Sequence, residues 1–222
     1  IKKKYLKKKK NFLKMGNGLR MSNYKKILFT GATGRIGQVY KKTYNTKEYL
    51  YPNRKQFENT NYESSLRNIK KNKPDLILHC AALSRPMSIH DKNIIDSINT
   101  NIIGTCNLVK ICSIYKIKLI YFSTSYIYPG LKGNYKETDN IHPINNYAWS
   151  KLGGESAVRL YKNSLILRIC MTEKPFVHKY AFKNFITNFI FHDEVVKFLP
   201  KLFKHKGIIN VGGPASNVYK FA

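Results

Sequence analysis

The stretch Ile27-Leu28-Phe29-Thr30-Gly31-Ala32-Thr33-Gly34-Arg35-Ile36-Gly37 constrains the fold more than any other part of the chain. An apolar, β-prone run ends in three glycines spaced three apart, and a helix-competent segment follows. A strand that feeds a glycine-rich turn and then a helix start is the phosphate-binding entrance of a dinucleotide fold. Gly31 permits the tight turn, Gly34 lets a pyrophosphate approach bare backbone, and Gly37 lets helix and strand pack closely. The helix N-terminus adds unpaired N–H groups and a partial positive charge. No Lys-Ser or Lys-Thr pair follows the last glycine, which excludes a nucleotide-triphosphate loop.

The rest of the pattern alternates as a parallel α/β sheet requires. It predicts strands over 26–30, 48–51, 75–80, 117–123 and 164–170, with helices over 35–44, 62–72, 97–115 and 146–162. Short, continuously apolar strands such as Leu76-Ile77-Leu78 suit a sheet covered on both faces. After Arg168 the pattern loosens. Residues 171–192 are aromatic and irregular, followed by a helix over 193–204, a strand over 208–211 and a helix start at 216–222. The expected fold is therefore α/β, a Rossmann-type doubly wound parallel sheet with a small, incomplete C-terminal substrate lobe. Its expected divisions are a basic tail (1–20), disordered or non-native, a dinucleotide-binding domain (21–170) and a partial substrate-binding lobe (171–222). Met21 reads as the native start.

The net charge of +28 needs a cause. Nucleic-acid binding is one. However, the excess accompanies abundant Asn, Ile and Tyr, Lys far outnumbers Arg, and the cations are scattered rather than striped on one element. Composition is the favoured cause, and nothing beyond non-specific attraction to nucleic acid is expected. Anionic ligands are favoured electrostatically. No apolar run reaches bilayer-spanning length, so no membrane partner is expected. Cys80, Cys106, Cys112 and Cys170 show neither pairing nor metal spacing, which reads as free thiols in a reducing compartment and a cytoplasmic protein.

Tyr147 and Lys151 stand four residues apart and share a face on a helix. A neighbouring cation, joined by an oxidised nicotinamide, would lower the phenol pKa from about 10 toward the working range and let it exchange a proton with a carbonyl or alcohol. The same spacing occurs at Tyr5/Lys9, Tyr51/Lys55 and Tyr128/Lys132. Position selects Tyr147/Lys151, which starts a clean helix downstream of a strand ending in Ser123-Thr124-Ser125, where parallel sheets place their ligands.

With these elements in order, the chain resembles an extended short-chain dehydrogenase/reductase of the dTDP-4-dehydrorhamnose reductase-like branch. The residues that carry the resemblance are the Thr30–Gly37 turn, Pro74-Asp75-Leu76-Ile77-Leu78-His79-Cys80-Ala81-Ala82, and Asn99-Thr100-Asn101-Ile102-Ile103-Gly104-Thr105. They continue in Phe122-Ser123-Thr124-Ser125-Tyr126-Ile127-Tyr128-Pro129-Gly130, Tyr135-Lys136-Glu137-Thr138-Asp139, and Pro143 through Glu155. The resemblance implies reduction of a nucleotide-activated 4-keto-6-deoxy sugar with NAD(P)H. Tyr147 would be the proton donor or acceptor, Lys151 would hold the nicotinamide ribose and tune Tyr147, and Thr124 would hydrogen-bond the reacting oxygen. Cofactor contacts would come from Gly31, Thr33, Gly34, Arg35, Ile36, Gly37, Asn53, Arg54, Cys80, Ala81, Ala82, Asn101 and Lys151. No metal is implied, and the resemblance leaves a homodimer open.

Some positions depart from the family. Asn often stands where this chain has His79, and Asp where it has Ser125; losing that acid leaves the sugar open. His192-Asp193-Glu194-Val195 reads as a helix cap rather than a metal site. The end of the second strand carries Asn53-Arg54 without an acid, which favours NADP(H) over NAD(H), because Arg54 can answer a 2′-phosphate. Two rivals stay open: an epimerase of the same family, and a non-catalytic NADP-binding regulatory subunit like that of methionine adenosyltransferase. Dehydration is disfavoured, since Ser125-Tyr126 stand where a dehydratase usually shows an acidic pair.

Overall fold

The computed structural model describes residues 24–176 and 180–222; the 1–20 tail and the Tyr5/Lys9 pair lie outside them. Six strands form one parallel sheet: β1 (Ile27–Thr30), β2 (Tyr49–Leu50), β3 (Leu76–His79), β4 (Lys118–Thr124), β5 (Ser164–Ile169) and β6 (Gly207–Val211), in the order β2-β1-β3-β4-β5-β6. The chain crosses from β1 to β2 on one side and to β3 on the other. The switch point that opens a ligand crevice at the strands' carboxyl ends thus falls between β1 and β3. This is the expected Rossmann-type architecture.

Both faces of the sheet are covered, which is why the strands are apolar without alternation. Ile27, Phe29, Leu78, Ile120 and Leu167 pack on one face against Ile36 and Tyr40 of α1 (Arg35–Thr43). Leu28, Ile77, Leu119, Tyr121 and Ile166 pack on the other against Ile69 of α2 (Tyr62–Asn72), Leu108 and Ile111 of α3 (Gly104–Tyr115), and Val158 of α4 (Asn146–Arg159).

Two differences from the sequence reading matter for the site. First, β6 lies beyond residue 170 yet pairs with β5 along its whole length, and Val195, Val196 and Leu199 complete the core over α1. Part of 171–222 therefore belongs to the sheet layer rather than to a lobe of its own. Second, the helix expected over 97–115 is longer and irregular. Short helical turns at Ile89–Lys92 and Ile94–Ser97 precede a π-helical stretch, Ile98–Ile103, before α3 begins. Such a π insertion changes which residues face inward and leaves no periodic signature in sequence.

A buried polar relay runs beneath the strand ends. His79 Nδ1 lies 2.8 Å from Thr30 Oγ1, and Nε2 lies 3.1 Å from Thr105 Oγ1. The Thr105 hydroxyl donates to the Asn101 carbonyl, so it accepts from Nε2–H, and Nδ1 is left to accept from Thr30. Thr30 Oγ1 in turn accepts the Ala81 N–H. Every hydrogen-bonding atom of this neutral imidazole is used, and a second ring proton would displace the Thr30 hydrogen bond.

Burial, aided by the Lys151 ammonium, holds the His79 pKa down at about 3. The unfolded chain titrates near 6.5, so between about pH 6.5 and 3 the unfolded state binds more protons and stability falls as pH falls. His79→Asn removes that dependence. Urea unfolding at pH 7 and pH 4 is expected to show the wild type losing about 3 kcal/mol more than the variant; equal losses would refute the neutral-imidazole assignment.

Candidate active site

The glycine turn opens the site. Gly31 adopts φ +75°, and a Cβ there would lie 2.7 Å from the Ala81 nitrogen, so β1 and the end of β3 meet at bare backbone. A Cβ on Gly37 would strike the Gly31 carbonyl and Ala32, which fixes how tightly α1 lies on the turn. Gly34 N–H closes the turn on the Gly31 carbonyl at 3.0 Å, and α1 starts directly after Gly34.

A cleft of about 610 Å³ runs from this turn across the strand ends. It is bordered by Gly31, Thr33, Gly34, Arg35 and Ile36 at the turn, and by Asn53 and Arg54 beyond β2. Cys80, Ala81 and Ala82 follow β3, while Thr124, Tyr147 and Lys151 stand at the far end. The sequence-predicted residues thus converge, with two exceptions. Gly37 packs beneath the turn. Asn101 is fully buried: its amide donates to the Leu83 carbonyl and Ser150 Oγ, and its Oδ1 accepts from Leu83 N–H. Asn101 therefore acts at one remove, clamping the loop after β3 to α4.

Tyr147 is placed by the start of α4. Asn145 caps that helix by accepting from Ala148 N–H at 2.8 Å, and Ser150 Oγ donates to the Tyr147 carbonyl at 2.7 Å. The phenol ring packs against His90 (centroids 5.2 Å apart) and edge-on to Tyr126. Lys151, one turn on, is buried with its Nζ 4.1 Å from the centre of the Tyr121 ring. Tyr51 and Tyr128 lie outside helices, and Lys132 is paired with Asp139, so neither rival pair reproduces this geometry.

The electrostatics differ from the expectation in one respect. Burial pushes the Tyr147 phenol above its ordinary pKa of 10, Cys80 adds to the shift, and a hydrogen bond with Thr124 opposes it. The direction is upward, because desolvation of the phenolate outweighs the Thr124 hydrogen bond and the Arg85 guanidinium. Burial lowers Lys151 to about 8 against the opposing Cys80 and Glu155, and raises the Cys80 thiol to about 12 against Lys151. Thr124 Oγ1 also accepts Tyr126 N–H at 3.2 Å, so it caps a 3₁₀ turn as well as reaching Tyr147.

Glu58 and Glu173 of the cleft, and His90 against Tyr147, escaped the sequence reading. Glu58 lies at the Asn53–Arg54 end, 3.0 Å from Arg54 Nε, so an acid is present there although it is displaced from the strand end. Glu173 bridges Arg35 and Arg85, and His90 braces Tyr147. Glu173 and His90 act across distant segments, where no local spacing announces them, whereas Glu58 pairs with Arg54 four residues away. His192-Asp193-Glu194 does open a helix, α5 (His192–Phe198): Glu194 accepts Phe191 N–H and Asp193 pairs with Lys197. Among the described residues, no group of His, Cys, Asp or Glu is placed to hold a metal, and no helix is long and apolar enough to cross a membrane.

Known proteins share this fold. A dTDP-4-dehydrorhamnose reductase from Bacillus anthracis in complex with NADP superposes with a TM-score of 0.81 at 22% identity, over 90% of this chain and 79% of that one. The methionine adenosyltransferase 2 subunit beta of Xenopus laevis is 32% identical over 143 residues, 60% of this chain and 42% of that protein. A dTDP-4-dehydrorhamnose reductase of Aggregatibacter actinomycetemcomitans is 29% identical over 199 residues, 85% of this chain and 62% of that one. The chain thus spans less than half the length of the vertebrate relative and under two thirds of the bacterial one. The model of the RmlD substrate-binding domain matches residues 25–193, and the chain belongs to that family.

Proposed function

We propose that this chain reduces a nucleotide-activated 4-keto-6-deoxy sugar with NADP(H), favoured over NAD(H). The observation that carries the reading is that Thr124, Tyr147 and Lys151 border the same cleft as the glycine turn. The cradle suits a dinucleotide: Gly31 leaves bare backbone where a side chain would collide, and α1 offers its N-terminus beside it. The nicotinamide, when bound, supplies the hydride. The protein's own part is the proton. A phenol held above pKa 10 stays protonated through the neutral range, which suits a general acid toward the carbonyl oxygen at C4. Thr124 hydrogen-bonds that oxygen and Tyr147 together, and the Lys151 ammonium offsets the charge that develops on the phenol.

A second reading, an NADP-binding subunit without turnover, draws on the 32% identity to methionine adenosyltransferase 2 subunit beta. Stoichiometric NADPH binding without oxidation across dTDP-, UDP- and GDP-linked 4-keto-6-deoxy sugars would favour it.

Tyr147→Phe is expected to lower kcat by about 10²- to 10⁴-fold while leaving NADPH affinity within about twofold; undiminished turnover would remove Tyr147 from the chemistry. Lys151 is protonated below about pH 8, so kcat/KM should fall above that pH. Lys151→Arg should move the limb upward, and an unmoved limb would assign it to another group. Arg54→Ser should weaken NADPH about tenfold and leave NADH unchanged; parallel losses would make Arg54 a general surface cation.

A further inference from the structure

A second cavity of about 310 Å³ adjoins the cleft. Pro86, Met87, Met171 and Phe189 give it an apolar wall, Tyr126 adds a phenol, and Arg85 is the one charged residue among its described lining. Arg85 borders both cavities, as do Met87, Tyr126, Met171 and Phe189, so the two spaces share most of one wall and Arg85 is the charged residue on it.

The charge at that wall is unbalanced. Glu173 accepts from Arg35 Nε at 2.8 Å and from Arg85 NH1 at 3.2 and 3.3 Å. Arg35 opens α1, Arg85 comes from the loop after β3, and Glu173 follows β5, so one carboxylate ties three separate segments together. It neutralises only one of the two guanidiniums. His192 lies beside them, but burial, partly opposed by Glu173, holds it toward its neutral form. Arg85 spends NH1 alone on Glu173, and its Nε and NH2 donors retain the fork geometry that phosphate oxygens accept. The shared wall beside Arg85, rich in Met and aromatic carbon, suits a flat ring attached to those phosphates.

We infer that Arg85 is the specificity-determining cation for the diphosphate of a nucleoside-diphosphate-linked ligand at the junction of the two cavities, with Glu173 the counter-ion that the phosphates displace. This rests on the proposed nucleotide-sugar reading and adds to it a residue and a direction. The dinucleotide's diphosphate belongs to the Gly34–Arg35 side, and the second ligand's to Arg85. Glu173 keeps the two guanidiniums apart in charge until both anions are present.

Calorimetric titration of dTDP and, separately, NADPH into the full chain at fixed salt tests the assignment. Arg85→Met is expected to weaken dTDP at least about tenfold and NADPH less than about threefold. Arg85→Lys, which keeps the charge and loses the fork, should fall between. Glu173→Gln should tighten dTDP about three- to tenfold by removing the competing carboxylate. NADPH binding reports that each variant is folded. A wild type that ignores dTDP, an Arg85→Met protein that binds it normally, or equal losses for both ligands would overturn the inference. The outcome is separable from turnover: dTDP binding lost with Arg85 in a protein that never oxidises NADPH keeps this inference and removes the reductase, whereas turnover with Arg85-independent dTDP binding does the reverse.

Discussion

Everything at the site depends on how closely β1 and β3 approach at their carboxyl ends. Gly31 has no side chain, so its backbone lies against Cys80 and Ala81 at distances that no Cβ would tolerate. That contact closes the floor of the crevice at the switch point and aims the start of α1 across it. Any larger residue at Gly31 would press against the backbone of Cys80 and Ala81 and misdirect the turn.

The floor is also coupled to the proton donor. Ala81 N–H reaches Thr30, Thr30 reaches His79, His79 reaches Thr105, and the Thr105 hydroxyl donates to the Asn101 carbonyl. The Asn101 amide then holds Leu83 and Ser150, and Ser150 holds the Tyr147 carbonyl. A continuous set of buried, satisfied polar groups therefore joins the dinucleotide side of the cleft to the helix that carries the phenol. Such a set is costly to leave half-made, so it specifies one arrangement rather than adding generic stability. His79 fits because a neutral imidazole, like a carboxamide, presents one donor and one acceptor.

What could be read from sequence follows the range of the interactions. The turn at Gly31–Gly37, the apolar strands and the Tyr147/Lys151 pair depend on neighbours within a few residues, and each has a spacing that physics imposes. Glu173 and Arg85 meet across 88 residues of sequence and His90 meets Tyr147 from a distant segment, and nothing in the local pattern of 171–192 marks Glu173 as a bridge. The π-helical stretch was illegible for a different reason. A wider helical turn has no residue period of its own that Ile98–Ile103 would show, and Asn101 lies within it. The upward shift of Tyr147 likewise needed three dimensions, since spacing reports the cation and not the depth of burial.

Charge gives these contacts a common logic. With 40 basic and 12 acidic residues, the chain attracts anions almost everywhere, so attraction alone cannot tell one ligand from another. Selectivity has to come from where the few carboxylates withhold cations. Glu155 takes Arg168 fully out of play beneath the strand ends, at 2.7 Å and with almost no exposure on either partner. Glu58 tempers Arg54 at the β2 end of the cleft, and Glu173 tempers Arg35 and Arg85 together. In a balanced protein an exposed pair such as Arg54–Glu58 would be an ordinary surface bridge worth little. In a protein this basic, each carboxylate decides which guanidiniums are left for phosphate, and the pattern of restraint, rather than the abundance of lysine, defines what the cleft selects.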